Sequence, residues 1–149
     1  MPDALRLRFE AEGDGTGELF ADVQARGFAG SASAWFGVDQ LVEFGNRLAM
    51  TYPLPPNAPF SLEGGDWNEP GTVIEQVHVG LKFYPIGLLG RVGFRAVLSS
   101  PIHQGDRPES IGQVAVELQT SYEPLRSFAR SLVMLARGAI DEVVLQGED

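Results

Sequence analysis

Alternation of apolar and polar residues governs the first third of the chain and constrains its fold more than any other feature. Leu5, Leu7, Phe9 and Ala11 alternate with Arg6, Arg8, Glu10 and Glu12. Leu19, Ala21, Val23 and Ala25 alternate with Glu18, Asp22, Gln24 and Arg26, with Phe20 the one intruder. A period of two gathers the apolar members on one face of a strand, which a helix cannot do. With Gly13-Asp14-Gly15-Thr16-Gly17 between them, the two runs predict an antiparallel hairpin. A third strand is expected over 28–36. Glycine, alanine and serine there leave one face flat enough for a helix or another sheet to approach closely. Trp35, beside Phe36, is expected in the core.

The period then changes. From Asp39, read as an N-cap, Leu41, Phe44 and Leu48 follow at helical spacing. Tyr52-Pro53-Leu54-Pro55-Pro56 must end that helix, since proline lacks the amide donor and restricts the residue before it. A second stripe, Leu125, Phe128, Leu132 and Leu135, follows Ser121 as its cap and stops at Gly138. The two stretches align at a spacing of eighty-four positions: Val38 to Phe44 over Tyr122 to Phe128, Leu48 over Leu132 and Met50 over Met134. Three such buried side chains stabilise a helix by very roughly 5–8 kcal/mol before entropy is subtracted. Packing therefore accounts for the repeat without a functional motif.

Between the helices, long strands are expected over 72–84, 91–99 and 111–120, with a short one near 140–145. His78 falls at the outward phase of the first. The order reads βββα followed by three or four strands and a helix. This predicts an α+β domain spanning 1–149: an antiparallel sheet of about six to seven strands with two helices, and a βββα duplication with halves 1–54 and 58–149. Residues 146–149 are expected to fray.

Composition bounds the function. The 149 residues include no cysteine, which removes disulfides, thiolate nucleophiles and thiolate metal sites. MPDALRLRFE lacks the apolar region of a secretory signal, and no apolar run approaches the ~20 residues that span a bilayer. The expectation is a cytoplasmic protein without a membrane partner. The net charge of −9 repels polyanions, so no nucleic-acid partner is expected. That charge either keeps the domain soluble or favours a basic protein partner.

No catalytic, cofactor or metal signature stands out. Ser99-Ser100-Pro101-Ile102-His103-Gln104-Gly105-Asp106 contains serine, histidine and aspartate, but a triad needs members converging from separate elements. His78 and His103 have no carboxylates at ligand spacing. Gly87-Leu88-Leu89-Gly90-Arg91-Val92-Gly93 lies between two strands, with no helix N-terminus to hold phosphate. The candidate residues are instead partner-binding ones: Asp66, Trp67 and Glu69 in an acidic loop, and Ile86, Leu88 and Leu89 in a turn of unusual apolarity. The loop reads as an anchor for a basic partner or as a plug closing the sheet. The turn is expected to fold back onto the core; its alternative is an exposed patch for a partner or a homodimer.

The ordering resembles the small bacterial WapI-type immunity proteins of polymorphic toxin systems. The resemblance rests on the apolar positions of Val38-Asp39-Gln40-Leu41-Val42-Glu43-Phe44, Phe60-Ser61-Leu62-Glu63, Val114-Ala115-Val116-Glu117-Leu118 and Leu125-Arg126-Ser127-Phe128-Ala129-Arg130-Ser131-Leu132. It covers most of the chain and implies a non-enzymatic protein that binds and neutralises a toxin domain, though it carries no functional residues with it. The rival expectation is a small-ligand-binding domain or enzyme, with a deep apolar pocket lined by Trp35, Phe44 and Phe94.

Overall fold

The computed structural model describes residues 2–148. Eight strands and two α-helices follow in the order β1(Ala4–Ala11), β2(Thr16–Ala25), β3(Phe28–Gly37), α1(Val38–Met50), β4(Phe60–Trp67), β5(Ile74–Ile86), β6(Arg91–Ser99), β7(Gln113–Ser121), α2(Tyr122–Ala136) and β8(Val143–Gln146). The fold is α+β, as the periodicities require. The single sheet of six to seven strands is corrected to two antiparallel sheets of four, ordered β3-β2-β1-β8 and β4-β5-β6-β7.

These orders describe a βββαβ unit used twice with its last strand exchanged. β4, which follows α1, pairs with β5 of the second unit, and β8, which follows α2, returns to β1 of the first. The spacing of the sequence repeat carries through to the packing. Leu41 and Leu125, Phe44 and Phe128, and Leu48 and Leu132 are all buried. Two such pairs also touch one another. A Cβ on Gly30 would sit 2.4 Å from Val114 Cγ1, and one on Gly45 would sit 2.8 Å from the Ala129 carbonyl and 2.7 Å from Val133 Cγ2. Small residues are needed there because β3 crosses the second sheet at the first point and α1 crosses α2 at the second.

The flat face expected of β3 therefore receives the other sheet. Gly64 of β4 packs against Ala34 and Phe36, where a side chain would come within 2.5 Å of the Phe36 ring. The helices cover what β3 leaves. Phe83 of β5 is fully buried among Phe44 of α1, Phe128 of α2 and Phe94 of β6, with ring centroids 5.8–6.3 Å apart. One core cluster draws on both sheets and both helices.

Local expectations are corrected in detail. Trp35 is 52% exposed, because the β2–β3 register buries Ala34 and Phe36 and turns the residue between them to the other face. His78 is buried, not outward: β5 is an inner strand, and β4 shifts register beside it at Gly64/Gly65 and Asp66/Trp67. Helix α1 begins two residues earlier than expected, so Asp39 lies in its first turn, complementing the helix dipole, and Gly37 is the cap. Ser121 does cap α2 by position, but its hydroxyl donates to Glu148 Oε1 at 3.1 Å. The end of the chain is also held: Gln146 belongs to β8, and the amides of Gly147 and Glu148 donate to Asp3 and Gln119 at 2.8 and 2.7 Å. Asp149 lies outside the described residues.

On the solvent face of the second sheet, Gly93 lies under the Tyr84 ring and the Tyr84 hydroxyl donates to Glu117. Burial, with that carboxylate beside it, pushes the Tyr84 phenol up from its ordinary value. The folded state thus holds this proton more tightly than the unfolded chain does. Its contribution to stability is complete below the unfolded value of about 10 and is lost as pH rises above it. Denaturant titrations from pH 9 to 11.5 are expected to show a steeper loss of stability for the wild type than for Tyr84→Phe. At neutral pH, Gly45→Val should destabilise the fold by about 2–3 kcal/mol through overpacking at the helix crossing, measured by the same titration.

Candidate functional site

The residues singled out from the sequence occupy the two ends of β5. Asp66 and Trp67 are the last residues of β4, not loop residues, and Glu69 is exposed in the connection to β5. Ile86 ends β5, and Leu88 and Leu89 form the turn into β6. A strand of 13 residues separates the two groups by ~40 Å. They are two surfaces, not one.

At the first end, Asn68 folds the connection. Its Oδ1 accepts from the Thr72 and Val73 amides at 2.9 and 3.2 Å, which leaves Glu69 at the tip. Trp67 is 47% exposed, so it does not plug the sheet. From Glu63 to His78 the hairpin carries Glu63, Asp66, Glu69 and Glu75 and no lysine or arginine. His78 Nε2 lies 3.1 Å from Gln76 Oε1 and 3.9 Å from the Asp66 carboxylate. Gln76 in turn holds the β6–β7 loop, accepting from the Ile102 amide and donating to its carbonyl, both at 3.0 Å. The histidine thus belongs to a strut between the hairpin and that loop.

At the second end the expectation fails. Leu88 and Leu89 are 100% and 94% exposed and do not return to the core. Gly87 and Gly90, at φ 66° and 85°, bracket them in conformations that turn the chain sharply and leave both leucines at the tip. Ile86 is half-buried. Beside this turn lies a cleft of ≈310 Å³ between it and the segment after α1, lined by Tyr52, Pro53, Pro56, Pro85, Leu88 and Tyr122 among others. Tyr52 and Tyr122 meet edge to face at 4.7 Å, and the Tyr122 hydroxyl accepts from the Leu54 amide at 3.0 Å. Tyr52, 67% exposed, and the prolines after it were missed from the sequence. They read as a helix stop, and only the tertiary structure sets them against the β5–β6 turn.

The other groups weighed from the sequence are engaged locally. Asp106 accepts from the His103 amide at 2.7 Å and Ser100 Oγ from the Gly112 amide at 3.0 Å, bonds that shape the β6–β7 loop. Among the described residues, no three His, Asp or Glu side chains converge as a metal would require. Among the described residues, no helix is long and apolar enough to cross a membrane. Phe44 and Phe94 are packed around Phe83 while Trp35 faces the opposite side of β3, so these three do not line one pocket. No family model, curated protein or solved structure matches the chain.

Exposed leucines contribute little to the monomer. Replacing both Leu88 and Leu89 by serine is expected to leave the unfolding free energy within about 0.5 kcal/mol of the wild type in a denaturant titration.

Proposed function

We propose that this chain is a non-enzymatic protein-binding domain, an immunity-type protein whose partner is a basic toxin domain. The observation that carries the reading is the Leu88–Leu89 tip. Two adjacent, almost fully exposed leucines at the point of a hairpin, next to an apolar cleft, add nothing to the isolated fold. Apolar anchors beside a pocket are the groups from which interfaces draw most of their energy. The partner's charge follows from the net charge of −9 and from an acidic hairpin at the other end of the molecule, which steer a basic surface toward it. The resemblance to WapI-type immunity proteins supplies the class of partner.

A second reading uses the same turn. The cleft lined by Tyr52, Pro53, Pro56 and Tyr122 is apolar and adjoins Leu88, so the turn and cleft of two copies offer each other matching surfaces in a homodimer. The first reading expects a toxin gene immediately upstream, and calorimetric titration with its purified toxin domain tests it. Binding is expected to weaken with salt and to fall at least tenfold in Leu88→Asp. Absence of binding at low salt, or unchanged affinity in that variant, overturns it. Sedimentation separates the readings, since a dimer that Leu88→Asp dissociates supports the second.

A further inference from the structure

We propose that the free edge of β3 accepts an extended, basic segment of a partner protein as an added strand. This surface is separate from the Leu88–Leu89 turn: the β4–β5 row under β3 passes through Val79, seven residues and ~23 Å along β5 from Ile86.

The outward groups of β3 follow from its turn. Arg26 and Gly27, with φ 50° and 86°, close a two-residue hairpin between Ala25 and Phe28. Such a hairpin begins with a hydrogen-bonded pair, and the pairs then alternate. Phe28, Gly30, Ala32, Ala34 and Phe36 therefore bond to β2, and Ala29, Ser31, Ser33 and Trp35 present their N–H and C=O groups outward. The same alternation, shifted by the repeat spacing, places Glu117 and Gln119 outward on β7. There two outward carbonyls are taken. Arg26 Nη1 donates to the Glu117 carbonyl at 2.9 Å, and the Glu148 amide donates to the Gln119 carbonyl at 2.7 Å. Their counterparts on β3 are Ser33 and Trp35. Among the described residues, no hydrogen bond reaches the outward backbone of Ala29, Ser31, Ser33 or Trp35.

The edge also lacks the devices that normally protect one. Its ten residues contain no charge, no proline and no bulge, whereas the β4 edge has two register shifts. The surroundings select the occupant. β3 rests on the row of Gly64, Val79, Leu98 and Val114, and a groove of ≈370 Å³ lies between Ser31–Ser33 and Ser99–Pro101, lined also by Asp22, Phe20 and Arg8, whose guanidinium stacks on the Phe20 ring at 4.9 Å. Past that row the second sheet continues through the β4–β5 hairpin, Gly65–Trp67 and Ile74–His78, while β6 ends at Ser99 and β7 begins at Gln113, one residue beyond it. Charge makes the selection. Ser31 and Ser33 donate to the carboxylates of Asp22 and Glu18, the latter at 2.6 Å, holding both beside the edge. The hairpin packed on Ala34 and Phe36 is the acidic one, with Glu63, Asp66, Glu69 and Glu75. Main-chain bonding to the edge and lysine or arginine side chains toward these carboxylates are the recognition expected of such a segment.

The test is amide hydrogen exchange by NMR with a capped peptide of alternating valine with threonine and lysine, its glutamate-for-lysine counterpart serving as the control. The lysine peptide at 1 mM is expected to slow exchange at Ala29, Ser31, Ser33 and Trp35 at least tenfold. Slowing should be absent with the glutamate peptide and in Ser33→Pro, which removes an outward donor without touching the β2–β3 ladder. Asp22→Lys, a change at a half-buried side chain that spares the backbone, should weaken the effect at least fivefold and covers the case in which Ser33→Pro fails to fold. No slowing with the lysine peptide overturns the proposal, as does equal slowing with glutamate. Slowing that grows with protein concentration in the absence of peptide overturns it in favour of a second copy.

Discussion

Where α1 crosses α2, Gly45 leaves no side chain between the helices, and the Ala129 carbonyl and Val133 close onto it. The rest of the structure depends on that crossing. It sets the depth at which Phe44 and Phe128 reach Phe83, and so the depth of the aromatic centre on which both sheets pack. The same spacing that relates Gly45 to Ala129 relates Gly30 to Val114, where the sheets cross. Two contacts, both between repeat-related positions and both dependent on a glycine, define an approximate twofold axis. A larger residue at either one separates everything around it, because close-packed interiors have no slack to absorb it.

The exchanged last strands explain why the two units act as one body. β4 and β8 each leave the unit that made them and complete the other's sheet. Neither half holds a four-stranded sheet alone. The symmetry then fails in a way that bears on function. β7 presents Val116, Leu118 and Thr120 inward and has the outward carbonyls of Glu117 and Gln119 capped, while β3 presents Ala32, Ala34 and Phe36 inward and leaves its edge open. The skeleton is shared, and the difference lies in which side chains and chain ends reach the edge. Arg26 and Glu148 both lie against β7.

Much of the fold was legible because its signals are local. Period two over 5–11 and 19–25, the small residues of β3, and the helical stripes ending at Pro53 and Gly138 each dictate an element without reference to the rest. The misplaced residues share a different cause. Trp35 is large and apolar, but register decides its face, and the Ala25–Phe28 hairpin sets that register. His78 counts to the outward phase of its strand, but the register shift between β4 and β5 at Gly64/Gly65 breaks that count and buries it. Leu88 and Leu89 look like core residues, yet the glycines on either side hold them away from it. Of the candidate residues, Asp66, Trp67 and Glu69 were found from charge and aromaticity, and Ile86, Leu88 and Leu89 from apolarity. Tyr52 and the prolines after it carried only a helix-stop signal.

The sequence by itself determined the α+β class, the repeat, the buried stripes of both helices and the acidity that bears on any partner. Each of these is a statement about neighbours along the chain, where a side chain's own periodicity and charge suffice. Only the tertiary structure decided that the strands divide into two sheets, that the exchanged strands tie the halves together, and that one edge is partly capped while its twin is open. Those outcomes turn on contacts between residues far apart in sequence, such as Arg26 with Glu117 and Glu148 with Gln119. A backbone group at a strand edge is satisfied or left open by whatever the fold brings beside it, and no local pattern encodes that.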